Sequence, residues 1–227
     1  MRIRAHEKFE HIYWVELERG LNRLATVNFS PGTKVYGEQV VSAEGIEYRI
    51  WDPYRSKLAA AILRGLSPIP IAGGSRVLYL GAASGTTASH ISDIVGREGT
   101  IYCVEISPRP MRDLLAVCER RQNMIPILAD ASRPNQYHMI VEQVDVIYQD
   151  VAQPEQTNIL LENARIFLKN KGYAFLALKA RSIDVTKEPR EIFRDEIGKL
   201  ERELEIVDSR ILEPYAKDHA MILARKK

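Results

Sequence analysis

The sequence predicts an α/β fold, with a Rossmann-like, seven-stranded mixed sheet preceded by a small N-terminal antiparallel β domain. Three observations carry this prediction. From Val77 onward, short apolar strands alternate with helical segments, which favours a parallel sheet with helices on both faces. The last two strands have no helix between them, which favours an antiparallel closing hairpin. The residues before Asp52 carry only strand-like segments separated by turns.

The N-terminal segments are rich in β-branched and aromatic residues, and glycine or proline turns separate them. The strand-like segments are HIYWVEL, RLATVNF, KVYGEQVV and IEYRIW. Asp52-Pro53 then marks a boundary, so we expect one domain over residues 1–54 and a second over residues 55–227. Ser56 is placed to cap a first helix over KLAAAILRGL.

In the second domain, a helix is expected after each of the first five strands, including helices from Pro108, from Pro154 and near Pro189. Two further strands close the chain. In chain order the seven strands are VLYLG, TIYCVE, MIPILAD, VDVIYQD, YAFLALKA, EIVDSRIL and HAMILARK.

Composition excludes several classes of protein. Lys and Arg total 32 against 30 Asp and Glu, a net charge of +2, so bulk charge does not argue for a polyanion partner. No run approaches the roughly 20 apolar residues of a membrane span, and the charged N-terminus lacks a signal core, so we expect a cytoplasmic protein without membrane association. Cys103 and Cys118 lack metal-ligand spacing, which favours reduced packing residues and no metal site.

The carboxyl ends of the predicted parallel strands are polar, and ligands of open α/β sheets bind at that edge. The first strand runs into GAASG, where Gly81 and Gly85 permit close backbone approach to a ligand. Amides at the following helix start can bind a carboxylate or phosphate. The motif is not GxGxxG, which weakens a dinucleotide interpretation, and a tight turn without any ligand is the alternative.

Acids end the next three strands. Glu105 is positioned to accept hydrogen bonds from both ribose hydroxyls of an adenosine, Asp130 to contact an adenine amino group, and Asp150 to favour a sulfonium cation. A nicotinamide enzyme, a methyltransferase and a noncatalytic adenosine binder remain open. Repeated acids without a second phosphate cradle favour the methyl donor S-adenosylmethionine. The alternatives are a solvated charge at Glu105 and helix capping by either aspartate.

Several longer strings resemble the fibrillarin family, particularly its archaeal form, from about Tyr36 to the C-terminus. They are YRIWDPYRSKLAAAI, VLYLGAASGTTASHISDIVG, CVEISPR, NMIPILADAS, VDVIYQDVAQPEQ, KARSIDVTKEP and EPYAKDHAMI. The resemblance implies a Rossmann-like S-adenosylmethionine-dependent methyltransferase of box C/D ribonucleoproteins, which methylates ribose 2'-hydroxyls of rRNA and tRNA and serves in their processing. Methyltransferases acting on a base, protein side chain or small molecule, and a noncatalytic donor-binding scaffold, are the alternatives.

The resemblance also implies the residues that bind the donor. It places Thr86 and Thr87 near the methionine carboxylate of the donor. Gly81 is the nearby position where the backbone can approach the donor closely. Glu105 and Ile106 are assigned to the ribose and adenine, and Asp130 and Ala131 to the adenine. The segment Asp150, Val151, Ala152 and Gln153 is assigned to the length of the donor. Two positions depart from the family pattern, because Ile106 replaces a common aromatic residue and Ala129 a common glycine.

A Lys-Asp-Lys-His group is implied for the chemistry, and this sequence supplies it as Lys57, Asp150, Lys179 and His219. A ribose hydroxyl must be held in line with the methyl group while its proton departs. We expect Lys179 to act as the base or to orient the nucleophile, Asp150 to orient Lys179, and Lys57 with His219 to place the target phosphate or ribose. Taken singly, each lysine is equally compatible with a solvated surface charge.

Target choice is expected to come from other molecules, because no base-reading module is visible. The resemblance implies a box C/D guide RNA pairing with target rRNA or tRNA, a Nop-family scaffold protein and a kink-turn-binding ribosomal-type protein. Seven cations are candidates for RNA-backbone or scaffold contacts, with a solvated helix face as the alternative. They are Arg109, Arg112, Arg120, Arg121, Arg181, Lys187 and Arg190.

Overall fold

The N-terminal part of the chain forms a five-stranded sheet, antiparallel throughout, in the order β1-β2-β3-β5-β4. The computed structural model describes residues 2–17 and 20–227, so residues 1, 18 and 19 of the predicted first domain lie outside the described residues. The strands are β1 (Arg2–Ala5), β2 (Ile12–Glu16), β3 (Asn22–Val27), β4 (Val40–Ala43) and β5 (Ile46–Ile50). The expected antiparallel sheet is confirmed, and β1 is a strand that the sequence analysis missed.

Strand β4 is shorter than the predicted segment KVYGEQVV, because only its end pairs with β5. The carboxylate of Glu38 accepts hydrogen bonds from the backbone amides of Val35, at 3.1 Å, and Tyr36, at 2.9 Å. These amides are therefore satisfied locally by a side chain and do not join a strand ladder.

The second sheet has seven strands in the order β11-β12-β10-β9-β6-β7-β8. Neighbouring strands from β8 to β10 are parallel, whereas β12 runs antiparallel to both β10 and β11. The mixed sheet and its closing hairpin are therefore confirmed. The strands are β6 (Arg76–Leu80), β7 (Thr100–Glu105), β8 (Met124–Leu128), β9 (Val144–Gln149), β10 (Leu168–Lys179), β11 (Leu204–Ile211) and β12 (His219–Lys226).

Six α-helices accompany this sheet in the described chain: α1 (Lys57–Leu63), α2 (Thr86–Val95), α3 (Pro108–Cys118), α4 (Gln156–Phe167), α5 (Ala180–Ile183) and α6 (Pro189–Leu200). Ser56 caps α1 as predicted, accepting from the amide of Ala59. The helix expected after the third strand of this sheet is wrong, since only a 3-10 turn at Pro134–Gln136 follows β8. Within residues 2–17 and 20–227, the structure has no helix long and apolar enough to cross a membrane.

The failed helix has a local cause. Asp130 accepts hydrogen bonds from the amide of Ser132, at 2.9 Å, and from its hydroxyl, at 2.8 Å. These bonds favour a turn over a helix. Tyr137 then turns inward, fully buried, and its hydroxyl donates to the side-chain oxygen of Asn163 on α4. The crossover is therefore anchored by a buried side chain without a helix of its own.

Alternating residues of β6 enter two apolar clusters on opposite faces of the second sheet. Val77 and Tyr79 join a cluster with residues of α1, α2 and α3. Leu78 and Leu80 face the other way, into a cluster built with residues of α4 and α6. Helices on both faces thus leave the carboxyl edge of the strands as the open side of the sheet.

A buried ionic network joins the first sheet to helix α2. Arg49 of β5 is fully buried and pairs with Glu38 at 2.6 Å and with Asp93 of α2 at 2.8 Å. Arg121 reaches the other oxygen of Asp93 at 2.6 Å and is itself 1% exposed. The prediction that Arg121 contacts RNA or a scaffold is therefore wrong. Its guanidinium neutralises a buried carboxylate, and breaking such a pair leaves an uncompensated charge.

His90 of α2 is held by strand β3, by the loop before β4 and by the residue that follows β5. Its Nδ1 lies 2.8 Å from the hydroxyl of Thr26, its Nε2 lies 2.8 Å from the hydroxyl of Tyr36, and Trp51 stacks on the ring at 4.8 Å. Because the Thr26 hydroxyl donates its proton to Asp93, it accepts from Nδ1–H of a neutral imidazole. The N-terminal sheet and its loops thus contact and position helix α2, which begins at the glycine turn.

Candidate active site

The turn after β6 depends on glycine at two positions. Gly81 has φ +81°, and a Cβ there would lie 2.5 Å from the carbonyl oxygen of Asp150. Gly85 has φ +87° and is the N-cap of α2, which has no side-chain cap hydrogen bond. The backbone therefore passes directly against Asp150 and presents an uncapped helix N-terminus, an arrangement that attracts anionic groups.

Glu105 at the end of β7 is buried and secures the same turn. One carboxylate oxygen accepts from the amide of Ala83 and the other from the amide of Ser107, each at 2.8 Å. Each oxygen retains a further lone pair, so both remain able to accept from a ligand hydroxyl. Glu105 is thus a structural link between two loops as well as a candidate ligand for ribose.

A cavity of about 390 Å³ opens beside Glu105 at the carboxyl edge of the sheet. Ile106 contributes to it with 54% of its surface exposed, enough to cover the face of a flat group. The structure brings most of the predicted donor-binding residues together in this lining, which comprises Gly81, Ala83, Val104, Glu105, Ile106, Ala129, Ala131, Asp150, Val151, Ala152 and Gln153.

Thr86, Thr87 and Asp130 do not belong to that lining. Thr87 is buried, and its hydroxyl donates to the hydroxyl of Ser56 at 3.0 Å, which connects the glycine turn to the cap of α1. Burial acts to raise the pKa of Asp130, but its hydrogen bonds with Ser132 bring the pKa below the ordinary value. Asp130 therefore stays ionised at the edge of the site.

Two of the four predicted catalytic side chains form an ion pair. Lys57, the first residue of α1, donates to the two carboxylate oxygens of Asp150 at 2.8 and 2.7 Å. Asp150 follows β9 and also lines the cavity. Lys57 is therefore the lysine that holds this carboxylate, and a role for Asp150 in orienting Lys179 stays a prediction.

Lys179 and His219 face each other as paired residues at the ends of β10 and β12. Burial lowers the pKa of His219, and the charges of Lys57 and Lys179 lower it further, against the opposing effect of Asp150. The charges of the other three predicted catalytic groups therefore act on the imidazole of His219. The Nδ1–H of the neutral imidazole donates to the carbonyl of Lys217 at 2.6 Å, which leaves Nε2 free to accept a proton.

Gln156 is a site residue that the sequence analysis missed. Its side-chain oxygen accepts from the amide of Lys179 at 2.9 Å, and its side-chain nitrogen donates to the carbonyl of Lys179 at 3.1 Å. Gln156 is fully buried. A glutamine at the first position of a helix would be expected at the surface from the sequence alone. Only the packing of α4 against β10 reveals its role.

The other predicted cations lie at the surface. Arg109, Arg112, Arg120 and Arg190 are exposed. Arg181 pairs with Asp218 at 3.2 Å, and Lys187 with Asp195 at 3.8 Å.

Cys103 and Cys118 are free thiols whose pKa values burial raises. In the described part of the chain, no three His, Cys, Asp or Glu side chains group closely enough to hold a metal ion.

The fold and the site define a class of protein. A Rossmann-like sheet closed by an antiparallel hairpin, with an acid-lined cavity at its carboxyl edge, is the architecture of S-adenosylmethionine-dependent methyltransferases. Comparison with known proteins then narrows the class. The family model for fibrillarin matches residues 3–227, and the chain belongs to the fibrillarin family.

Three similar proteins cover nearly the whole chain. A fibrillarin-like rRNA/tRNA 2'-O-methyltransferase of Methanopyrus kandleri is 54% identical over 99% of this chain and 97% of its own length. The crystal structure of Aeropyrum pernix fibrillarin with natively bound S-adenosylmethionine is 54% identical, with a TM-score of 0.93, covering 99% and 98% of the two chains. A fibrillarin/Nop5p complex structure is 46% identical, with a TM-score of 0.88 and coverage of 98% and 100%.

Proposed function

We propose that this chain transfers a methyl group from S-adenosylmethionine to ribose 2'-hydroxyls of rRNA and tRNA. One observation carries the proposal: Asp150 lines the cavity and is at the same time the ion-pair partner of Lys57. The Asp150 carboxylate therefore connects the cavity proposed to bind the methyl donor with the polar groups proposed to act on the acceptor hydroxyl. Relatives with this enzymatic name and a fibrillarin structure with bound S-adenosylmethionine support the proposal.

The residues present fit the donor. Gly81 allows the backbone to approach the cavity, and the uncapped start of α2 suits a carboxylate at Thr86 and Thr87. Glu105 retains acceptor capacity for ribose hydroxyls, Ile106 with Ala131 and Asp130 suits an adenine ring, and the segment from Asp150 to Gln153 borders the rest. When bound, S-adenosylmethionine supplies an electrophilic methyl group on a positively charged sulfur.

The chain's own residues then have to place a 2'-hydroxyl and remove its proton. Lys57 fixes Asp150 beside the cavity, where the carboxylate can accept a hydrogen bond from the hydroxyl. Lys179 is assigned to orient the nucleophile or to accept its proton. His219, neutral and with Nε2 free, is the other group able to take up that proton.

Selection of the target ribose is assigned to partners in a box C/D ribonucleoprotein. A fibrillarin/Nop5p complex supports a Nop-family scaffold as the docking partner. A guide RNA paired with the target, and a kink-turn-binding ribosomal-type protein on the guide, complete the proposed particle. A cytoplasmic location stays a prediction of the sequence.

The experiment is methyl transfer by a particle reconstituted from this chain, the two partner proteins and a guide RNA. Labelled methyl groups should appear on the paired nucleotide, which then resists alkaline cleavage because its 2'-hydroxyl is blocked. A changed guide should move the product to the newly paired ribose, and a 2'-deoxy substitution there should abolish it. Label on a base or protein side chain, or a product independent of the guide, would contradict the proposal.

A further inference from the structure

A second cavity, of about 600 Å³, lies between the loop before β4 and one face of helix α3. The loop contributes Lys34, the turn that follows α3 contributes Arg120, and Arg55, two residues before α1, also lines the cavity. The cavity reaches the glycine turn at Ser84. Arg55 precedes Lys57, a member of the proposed catalytic group, by two residues in the sequence.

The three cations of the groove, Lys34, Arg55 and Arg120, are exposed. Across residues 2–17 and 20–227, no carboxylate oxygen lies within 4.0 Å of the charged nitrogens of Lys34, Arg55 or Arg120. Arg55 instead lies over the ring of Tyr36, 5.5 Å from its centroid. Asp113 is the one carboxylate in the lining, so the groove carries a local excess of positive charge.

Arg121 shows by contrast what a structural arginine looks like in this wall. It also borders the groove, but its guanidinium is buried and donates hydrogen bonds to the carboxylate of Asp93 and to the side-chain oxygen of Asn28. The three exposed cations contribute nothing comparable to folding. They are available to a ligand.

We infer that this groove binds backbone phosphates of the RNA strand that flanks the target ribose. The inference rests on the proposed function, because the groove includes Ser84 of the glycine turn and Arg55, two residues before Lys57, and the reacting ribose would lie near that turn and Lys57. A strand whose 2'-hydroxyl enters the site must carry phosphates out of it on both sides. Unpaired cations along that exit gain from releasing the counterions of a polyanion.

The test is RNA binding by the isolated full chain, measured by fluorescence anisotropy with a labelled guide–target duplex across a series of salt concentrations. The variants are Lys34→Ala, Arg120→Ala and the double variant that carries both substitutions. Each is compared with the wild type and with Arg97→Ala. Arg97 is a matched control, because it is exposed and follows the opposite end of α2. Affinity for S-adenosylmethionine and the melting temperature establish that each variant is folded.

The double variant should bind RNA roughly 10-fold more weakly at low salt, with the slope of log affinity against log salt reduced by about 2, one for each lost phosphate contact. Arg97→Ala should match the wild type in both. An unchanged slope in a folded double variant would overturn the inference. So would loss of binding to the Nop-family protein with RNA affinity intact, since the groove would then be a protein-docking surface.

This readout is separate from the test of the proposed function. Methyl transfer by the wild-type particle decides whether the chain is a ribose methyltransferase, whatever the groove does. RNA affinity decides whether the groove holds phosphates. If the wild-type particle methylates ribose and the groove variants bind RNA as tightly as the wild type, the groove inference fails and the proposed function stands.

Discussion

The side chain of Gln156 holds the backbone of Lys179 at both of its polar atoms, accepting from the amide at 2.9 Å and donating to the carbonyl at 3.1 Å. The main chain of Lys179 is thereby held where β10 ends and α5 begins. The proposed catalytic lysine thus depends on a buried amide that is not itself among the residues lining the cavity.

Gln156→Leu should therefore slow methyl transfer while leaving S-adenosylmethionine binding within a few fold. The change leaves a buried N–H and C=O unpaired, at about 1–3 kcal/mol each, and frees Lys179 to shift. Single-turnover rates of the reconstituted particle measure the effect. Combined with Lys179→Ala, the substitution should cost no more than Lys179→Ala alone, because both act on the same group.

Asn158→Ala is the matched control for Gln156, since Asn158 lies on the same helix but is exposed, and its side chain donates to the carboxylate of Glu155. Its rate should equal that of the wild type. Additive losses in the Gln156 and Lys179 double variant would show instead that Gln156 acts on overall stability.

Glu105→Ala should weaken binding of S-adenosylmethionine. The change removes a charged acceptor opposite ribose hydroxyls and also unpairs the amides of Ala83 and Ser107. A loss of about 1.5 to 3 kcal/mol corresponds to a dissociation constant roughly 10- to 150-fold higher. Calorimetry on the folded variant provides the measurement, with Glu119→Ala as an exposed control. Unchanged affinity would remove Glu105 from the donor site.

Lys179→Ala should lose methyl transfer while retaining S-adenosylmethionine binding within a few fold, because its proposed work lies at the hydroxyl. Single-turnover rates on a preassembled guide–target complex isolate the chemical step. His219→Gln in the same assay separates the two candidates for proton uptake, since loss of the base should change the pH dependence of the rate. A near-normal rate for Lys179→Ala across the pH range would defeat its assignment.

Stability should fall as the pH drops below 6.5, the ordinary pKa of histidine, and His90 should be a main cause. Burial, and then the charges of Arg49 and Arg121, hold the pKa of His90 well below that value. Below pH 6.5 the unfolded chain therefore binds a proton that the folded chain refuses. The free energy of unfolding then decreases by up to about 1.4 kcal/mol per pH unit for this residue.

Urea unfolding at several pH values between 7.5 and 5.5 tests this dependence. His6 and His219, whose pKa values are also lowered chiefly by burial, contribute in the same direction. The comparison is therefore with His90→Gln, which should be less stable overall but should show a shallower dependence on pH. Equal slopes for the two proteins would mean that His90 is already protonated in the folded state.

Local pattern determined much of this architecture from the sequence alone. Alternating apolar strands and helices specify the order of elements, because a strand of period two and a helix of period 3.6 residues expose different faces to a core. The acids at Glu105 and Asp150 were predictable for the same reason, since parallel strands bring their carboxyl ends to one edge of the sheet. The quoted family strings added the lysines and the histidine.

Tertiary structure alone decided which polar groups pair. Arg121 lies next to Arg120 in sequence, yet one neutralises the buried Asp93 and the other stays exposed beside a groove. Asp150 pairs with Lys57, 93 positions away, and the buried Gln156 holds Lys179 across 23. Such pairings depend on distances between elements far apart in the chain, and a buried polar group must be satisfied by whatever partner folding brings near. No local pattern records that choice.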